Sequence, residues 1–135
     1  MEGEQTGKSK TFRAILLALI VVLALKLFVV DLMITQGRSM LPALQPGSVL
    51  IVSKAAYGLR IPLLGRYLCR WSAPRSGDLV IFYTPLGERA VKRCSYVNGD
   101  GSFFALGDND LESFDSRSYG LVPAKLLLGK VIAVK

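Results

Sequence analysis

The run "AILLALIVVLALKLFVV" from Ala14 to Val30 constrains this chain more than any other feature, because only Lys26 interrupts its apolar character. Seventeen helical residues span about 26 Å, short of the roughly 30 Å hydrocarbon layer of a membrane but sufficient once flanking residues join. Lys26 lies near the far end and can snorkel outward. Lys8, Lys10 and Arg13 precede the run, so the positive-inside bias predicts a cytoplasmic segment over 1–13, an anchor over 14–30 and an extracytoplasmic domain over 31–135. Between Leu25 and Ile34 there is no pair of small residues two apart, as a cleavage site would require. A retained anchor is expected rather than a removed leader. About a hundred residues remain for folding, enough for a core without staples.

The net charge is +7, but the basic residues are not interleaved with stacking aromatics as in a nucleic-acid module. No nucleic-acid partner is expected. Lys54, Arg60, Arg66, Arg70 and Arg75 occur with no acidic residue before Asp78, and beside an anchor this basic region reads as facing anionic lipid headgroups. The competing reading is a solvated basic loop. Cys69 and Cys94 have neither CxxC spacing nor histidine partners, which argues against a metal site. A disulfide and two buried thiols both remain open.

Beyond the anchor the pattern changes to short β-rich runs punctuated by glycine and proline. Ser48–Lys54, Asp78–Thr84, Glu88–Val97, Ser102–Leu106 and Gly129–Lys135 have strand length and β-branched or aromatic enrichment. "VNGDGS" between the third and fourth runs is a hairpin-turn signal. The expected fold class is mostly β, and Ala55–Arg75 is the least regular stretch.

"QGRSMLPAL" (Gln36–Leu44) follows the anchor closely and raises Ser39 as a nucleophile. The chain has no histidine, so no Ser-His-Asp arrangement is available and any base must be Lys, Asp or Glu. In "ERAVKRCSYV", alternation places Ala90, Lys92, Cys94 and Tyr96 on one strand face, so Lys92 projects from apolar surroundings. Desolvation lowers a lysine pKa, and a neutral amine can accept a serine proton. Taken alone, Lys92 reads equally as an edge lysine pointing to water, and "GDNDLESFDSR" (Gly107–Arg117) as a surface loop closed by an Asp115–Arg117 ion pair.

Taken in order, "GRSMLP", "AVKR" and "GDNDLESFDSR" resemble the bacterial type I signal peptidase (leader peptidase) family of Ser-Lys dyad serine peptidases, in a minimal form. The resemblance extends from "LKLFVVD" through "GDLVIFY" to "YGLVPAKLLLGKV". It implies coiled antiparallel sheets, partly barrel-like, behind one transmembrane helix. It implies Ser39 as nucleophile, Lys92 as general base, Ser113 as hydrogen-bond partner of the amine, and Asp115 with Arg117 as an ion pair shaping the site. Gly107 belongs to the third motif, and the Ser39 N–H would receive the oxyanion. Some members carry a hydroxyl residue where this chain has Gly37, which leaves the second oxyanion donor open. Only fourteen residues, Arg93 to Leu106, separate the second and third motifs, where members usually insert a larger β-region.

The implied activity is removal of signal peptides from secreted preproteins, with no metal or organic cofactor, at the outer face of the cytoplasmic membrane. The expected partners are preproteins and membrane lipid; the oligomeric state is left open. Thr35, Gln36, Met40, Leu44, Ala90 and Val91 would line pockets that prefer Ala-x-Ala before the cut. Three other readings compete: a self-cleaving repressor, which would need a DNA-binding region; a peptidase for conjugation or pilus precursors; and a membrane-tethered β-domain without catalysis.

Overall fold

The computed structural model describes residues 2–62 and 64–135, with side chains from Ser9 onward; Met1, Leu63 and the Lys8 side chain lie outside the described residues. Helix α1 runs Glu2–Phe28, and its portion Ser9–Phe28 is long and apolar enough to cross a membrane. Ile15, Leu19, Val22 and Leu23 are exposed on it. A helix that is apolar all round and exposed along nearly all of this portion needs a nonaqueous surrounding.

The β-branched pair Val29–Val30 ends the helix, and strand β1 (Val30–Ile34) begins at the residue where the anchor was expected to stop. The junction is clamped to the sheet. Lys54 donates its Nζ to the carbonyls of Lys26 (3.0 Å) and Leu27 (3.4 Å), and its backbone N–H to Val29 (2.8 Å). These bonds occupy carbonyls that the end of a helix leaves without partners.

Seven further strands follow: β2 (Val49–Ser53), β3 (Gly58–Ile61), β4 (Arg66–Arg70), β5 (Leu79–Tyr83), β6 (Arg89–Val97), β7 (Phe103–Leu106) and β8 (Leu127–Val134). Six form an antiparallel sheet in the order β1-β2-β8-β5-β6-β7, and β3 pairs with β4 as a separate hairpin. The mostly β expectation holds, with one N-terminal apolar helix, and the sheet is not closed into a barrel. All five expected runs contain strands. The "VNGDGS" turn closes β6 to β7 with Gly101 at φ +83°, where a side chain would be strained.

Three strands lie outside those five runs. β1 is concealed in the apolar tail of the anchor, and the β3–β4 hairpin lies in the stretch taken as irregular. Gly58 makes that hairpin possible, since a Cβ there would lie 2.8 Å from the Tyr67 ring and overlap the Cys69 carbonyl. Cys69 is exposed and Cys94 buried, and both are free thiols.

Each face of the sheet buries a cluster. Tyr57, Val80, Phe82, Cys94, Phe103 and Leu127 form one, with Phe82 and Phe103 edge to face at 5.4 Å; Met40, Leu44, Leu50, Val52 and Ile81 form the other. Burying each of these large side chains contributes about 1.5–3 kcal/mol. The alternation expected along β6 holds through Cys94 and then breaks at a bulge between Cys94 and Tyr96. Tyr96 therefore lies exposed, stacked on Phe104 at 5.2 Å.

The pairing leaves two open edges that matter for the site. β1 bonds only to β2. Along β6, residues Arg89–Arg93 bond to β5 while Arg93–Val97 bond to β7, so Arg89–Lys92 have no strand on their second side.

Candidate active site

Ser39 stands in the turn after β1, and Lys92 is in the middle of β6. Both line one cavity of about 330 Å³ between the two open edges. Lys92 is only 4 % exposed, and burial lowers the pKa of its amine, opposed by the nearby Asp115 carboxylate and assisted by Arg117.

The amine donates to Ser113 Oγ at 3.1 Å, and Ser113 Oγ donates in turn to Asp115 Oδ2 at 2.5 Å. The direction of this chain matters. A hydroxyl has one proton, and Ser113 commits it to a carboxylate, so Ser113 can only accept from Lys92. The lone pair of a neutral amine is then left for another donor. The Ser39 hydroxyl is half-buried and makes no hydrogen bond among the described residues. The same is true of the Ser39 N–H.

Asp115 is wholly buried and satisfied on all sides. It caps the short helix α2 (Ser116–Tyr119), its Oδ1 accepting from the Arg117 N–H at 3.1 Å and Nε at 3.0 Å. Its Oδ2 accepts from the Gly107 N–H at 2.7 Å and Arg117 Nη2 at 2.6 Å, besides Ser113. Burial alone would raise its pKa; these donors prevail and hold the carboxyl well below its usual range. Arg117 also pairs with Asp110.

The serine turn is fastened to this loop from outside. The Asn109 N–H donates to the Ser39 carbonyl at 3.0 Å, and Asn109 Nδ2 donates to the Arg38 carbonyl at 3.1 Å. Gly107 is packed between the two halves of the site: a Cβ there would overlap Ser113 Oγ and lie 2.5 Å from the Ser39 carbonyl. Gly37 has open space around it. Asp108 holds Arg93 through two bonds of 2.9 and 2.6 Å, which fixes the end of β6 just beyond Lys92.

Of the residues expected to meet substrate, Thr35, Gln36, Met40, Ala90 and Val91 line the cavity with Gly37. Leu44 is not among the lining residues; it is buried in the core with Met40. Thr35 also braces the turn, its Oγ1 donating to the Gln45 carbonyl at 2.5 Å. Met33, Ile34, Leu50 and Arg89 line the cavity too and were not anticipated. Asn109 and Asp108 were visible as letters of the third motif, but no signal marks the Asn109 bonds across seventy-one residues to Arg38 or the Asp108 bonds across fifteen to Arg93.

The chain is similar to known proteins over nearly all its length. A family model described as "Signal peptidase, peptidase S26" matches residues 8–101 and 95–135. "Signal peptidase I" of Bacillus caldolyticus is 28 % identical over 164 aligned residues, covering 84 % of this chain and 84 % of that protein. "Signal peptidase I" of Pseudomonas aeruginosa is 36 % identical over 84 residues, covering 61 % of this chain. The protein of the same name from Buchnera aphidicola is 30 % identical over 93 residues, covering 67 % of this chain. The matched part is 30 % of the length of each of these last two proteins.

Proposed function

Since the chain belongs to the signal peptidase family, peptidase S26, we propose that Ser39 and Lys92 form the nucleophile–base dyad with which this membrane-anchored peptidase removes signal peptides from preproteins. The observation that carries this assignment is the donor order at Lys92, whose buried amine has Ser113 as an acceptor and, among the described residues, no donor to occupy its lone pair.

The preprotein lies extended between the open edges of β1 and Arg89–Lys92, its backbone adding to both. Neutral Lys92 takes the Ser39 proton as Oγ attacks the carbonyl carbon. The oxyanion forms against the unoccupied Ser39 N–H, and lysine returns its proton to the departing amine. Water, activated by the same amine, then hydrolyses the acyl-enzyme. Small residues at the first and third positions before the cut suit a cavity walled by Met40, Ala90 and Val91. A charged residue there would lose its hydration without compensation.

Residues 1–13 are cytoplasmic, residues 14–30 span the membrane, and residues 31–135 form the outer catalytic domain. The lysines and arginine that precede the apolar run support this orientation. The β3–β4 hairpin faces anionic lipid: Arg66 is exposed on it beside exposed Leu64, Leu68 and Trp71.

The test is cleavage of a preprotein by the detergent-solubilised enzyme, with the cut mapped by mass. Ser39→Ala and Lys92→Ala should abolish cleavage with the fold intact. Lys92→Arg should be as inactive, because a guanidinium keeps its proton in a protein. Substantial turnover by Lys92→Arg would eliminate lysine as the base.

A further inference from the structure

A second cavity of about 210 Å³ lies at the membrane end of the domain, large against the volume of a single water. Phe28 at the end of α1, Ile81, Tyr83 and Leu128 give it apolar walls, and Met33 and Arg89 line both this cavity and the one holding the dyad. The two are therefore neighbouring stations along one trough between β1 and β6. Both strands point the same way, from the second cavity toward the dyad: β1 runs from the end of α1 to the turn carrying Ser39, and β6 from Arg89 to Lys92.

We infer that the second cavity is a binding subsite for the preprotein residues five and six before the cut, and that it selects an apolar side chain there and rejects a cation. This inference rests on the peptidase reading above. A strand advances about 3.3 Å per residue, so the three residues from Lys92 to Arg89 match three residues of an extended substrate. With the first residue before the cut at the dyad, the fourth stands beside Arg89 and Met33. The fifth and sixth then enter the second cavity. The direction follows from the substrate's own topology, since the apolar segment of a signal peptide precedes the cut and shares the membrane with α1.

The charge preference comes from the same walls. Lys54, Arg60 and Arg89 line the cavity against one carboxylate, Asp31, which Lys54 already pairs at 3.4 Å. Arg60 lies over the Tyr83 ring at 5.9 Å, and its buried Nε has no acceptor. Arg89 is exposed and makes no side-chain hydrogen bond or ion pair among the described residues. Cations thus outnumber acceptors, and an entering backbone carbonyl supplies what they lack. A substrate lysine would meet like charge.

The experiment uses the full chain in detergent and matched peptides carrying Leu, Ser, Glu or Lys at the fifth and sixth positions. Leu should exceed Ser by about tenfold in kcat/KM if its side chain is buried. Glu should exceed Lys by up to about fivefold. In Arg89→Glu, an exposed position that the fold does not depend on, the Glu/Lys preference should vanish, because Lys54 and Arg60 then face two carboxylates. A peptide beginning at the fourth residue before the cut is the control. If a folded enzyme fails to cut even that peptide, the dyad assignment itself fails. If the short peptide is cut while all four longer ones are processed alike, only the subsite is overturned. Indifference to these positions combined with activation by anionic vesicles would instead identify the cavity as a lipid headgroup site, and would also overturn the proposal.

Discussion

At the scale of single residues, the proton order around Lys92 decides what the site can do. In the proposed mechanism Ser113 is a positioning residue, since it holds the Lys92 amine at 3.1 Å and takes no part in the proton transfer from Ser39. Ser113→Ala should lower kcat more than it changes KM, by about 1.5–3 kcal/mol for a lost bond to a charged or buried partner. An unchanged rate would remove Ser113 from the machinery. The acidic limb of the pH–rate profile reports Lys92, because only the neutral amine is a base: activity rises as pH rises through its lowered pKa. The Asp115 carboxylate opposes that lowering, so Asp115→Asn should move the limb to lower pH. The same substitution acts on stability. Asp115 is held below the usual carboxylate range, so it stabilises the fold above that range, and the contribution is lost as pH falls toward its folded value. Wild-type stability should therefore drop more steeply in acid than that of Asp115→Asn, as denaturation at several pH values would measure. An acidic limb that does not move would separate Asp115 from the base.

At the scale of elements, the β3–β4 hairpin offers a test independent of chemistry. Arg66 on the hairpin and Arg75 in the connection beyond it are exposed, and their side chains have no partner among the described residues. Reversing both to Glu should weaken adsorption to anionic vesicles, with about 1 kcal/mol from each charge removed from the surface. Cleavage of short soluble peptides should be unchanged. Equal adsorption before and after would return the hairpin to the status of a solvated loop. This hairpin also marks where sequence reading reached its limit. Strand-length runs of β-branched and aromatic residues announced β2, β5, β6, β7 and β8, but β3 (GLRI) and β4 (RYLCR) hold one β-branched residue between them and are broken by a bulge between Leu59 and Arg60 and by the Gly65 turn. β1 was hidden because an apolar strand after an apolar helix produces no change in pattern. At the site, Ser39, Lys92 and Ser113 were legible from their motifs. Arg89 and Met33 were not, since their placement depends on two edges coming to face each other across a folded sheet. Leu44 went wrong for a related reason: apolarity beside a nucleophile does not distinguish a pocket wall from the core behind it.

At the scale of the whole molecule, tether and chemistry are separable. α1 leaves its side chains exposed over Ser9–Leu27, with only Phe28 half-buried against the domain, so removal of residues 1–30 should leave a folded domain that cuts short peptides. Full preproteins embedded in membranes should be processed much more slowly, because anchoring confines both partners to one surface. A folded but wholly inactive truncation would make the anchor part of the site. The Lys54 clamp on the carbonyls of Lys26 and Leu27 gives that anchor a further role. With the helix end bonded to the sheet and β1 leading directly toward Ser39, the nucleophile stands at a set height above the lipid. The protein is in effect a ruler with its zero at Phe28. Among several acceptable Ala-x-Ala sites in one preprotein, the site cut should then be the one whose distance from the membrane matches the length of this strand and turn, which moving such a site by single residues would measure.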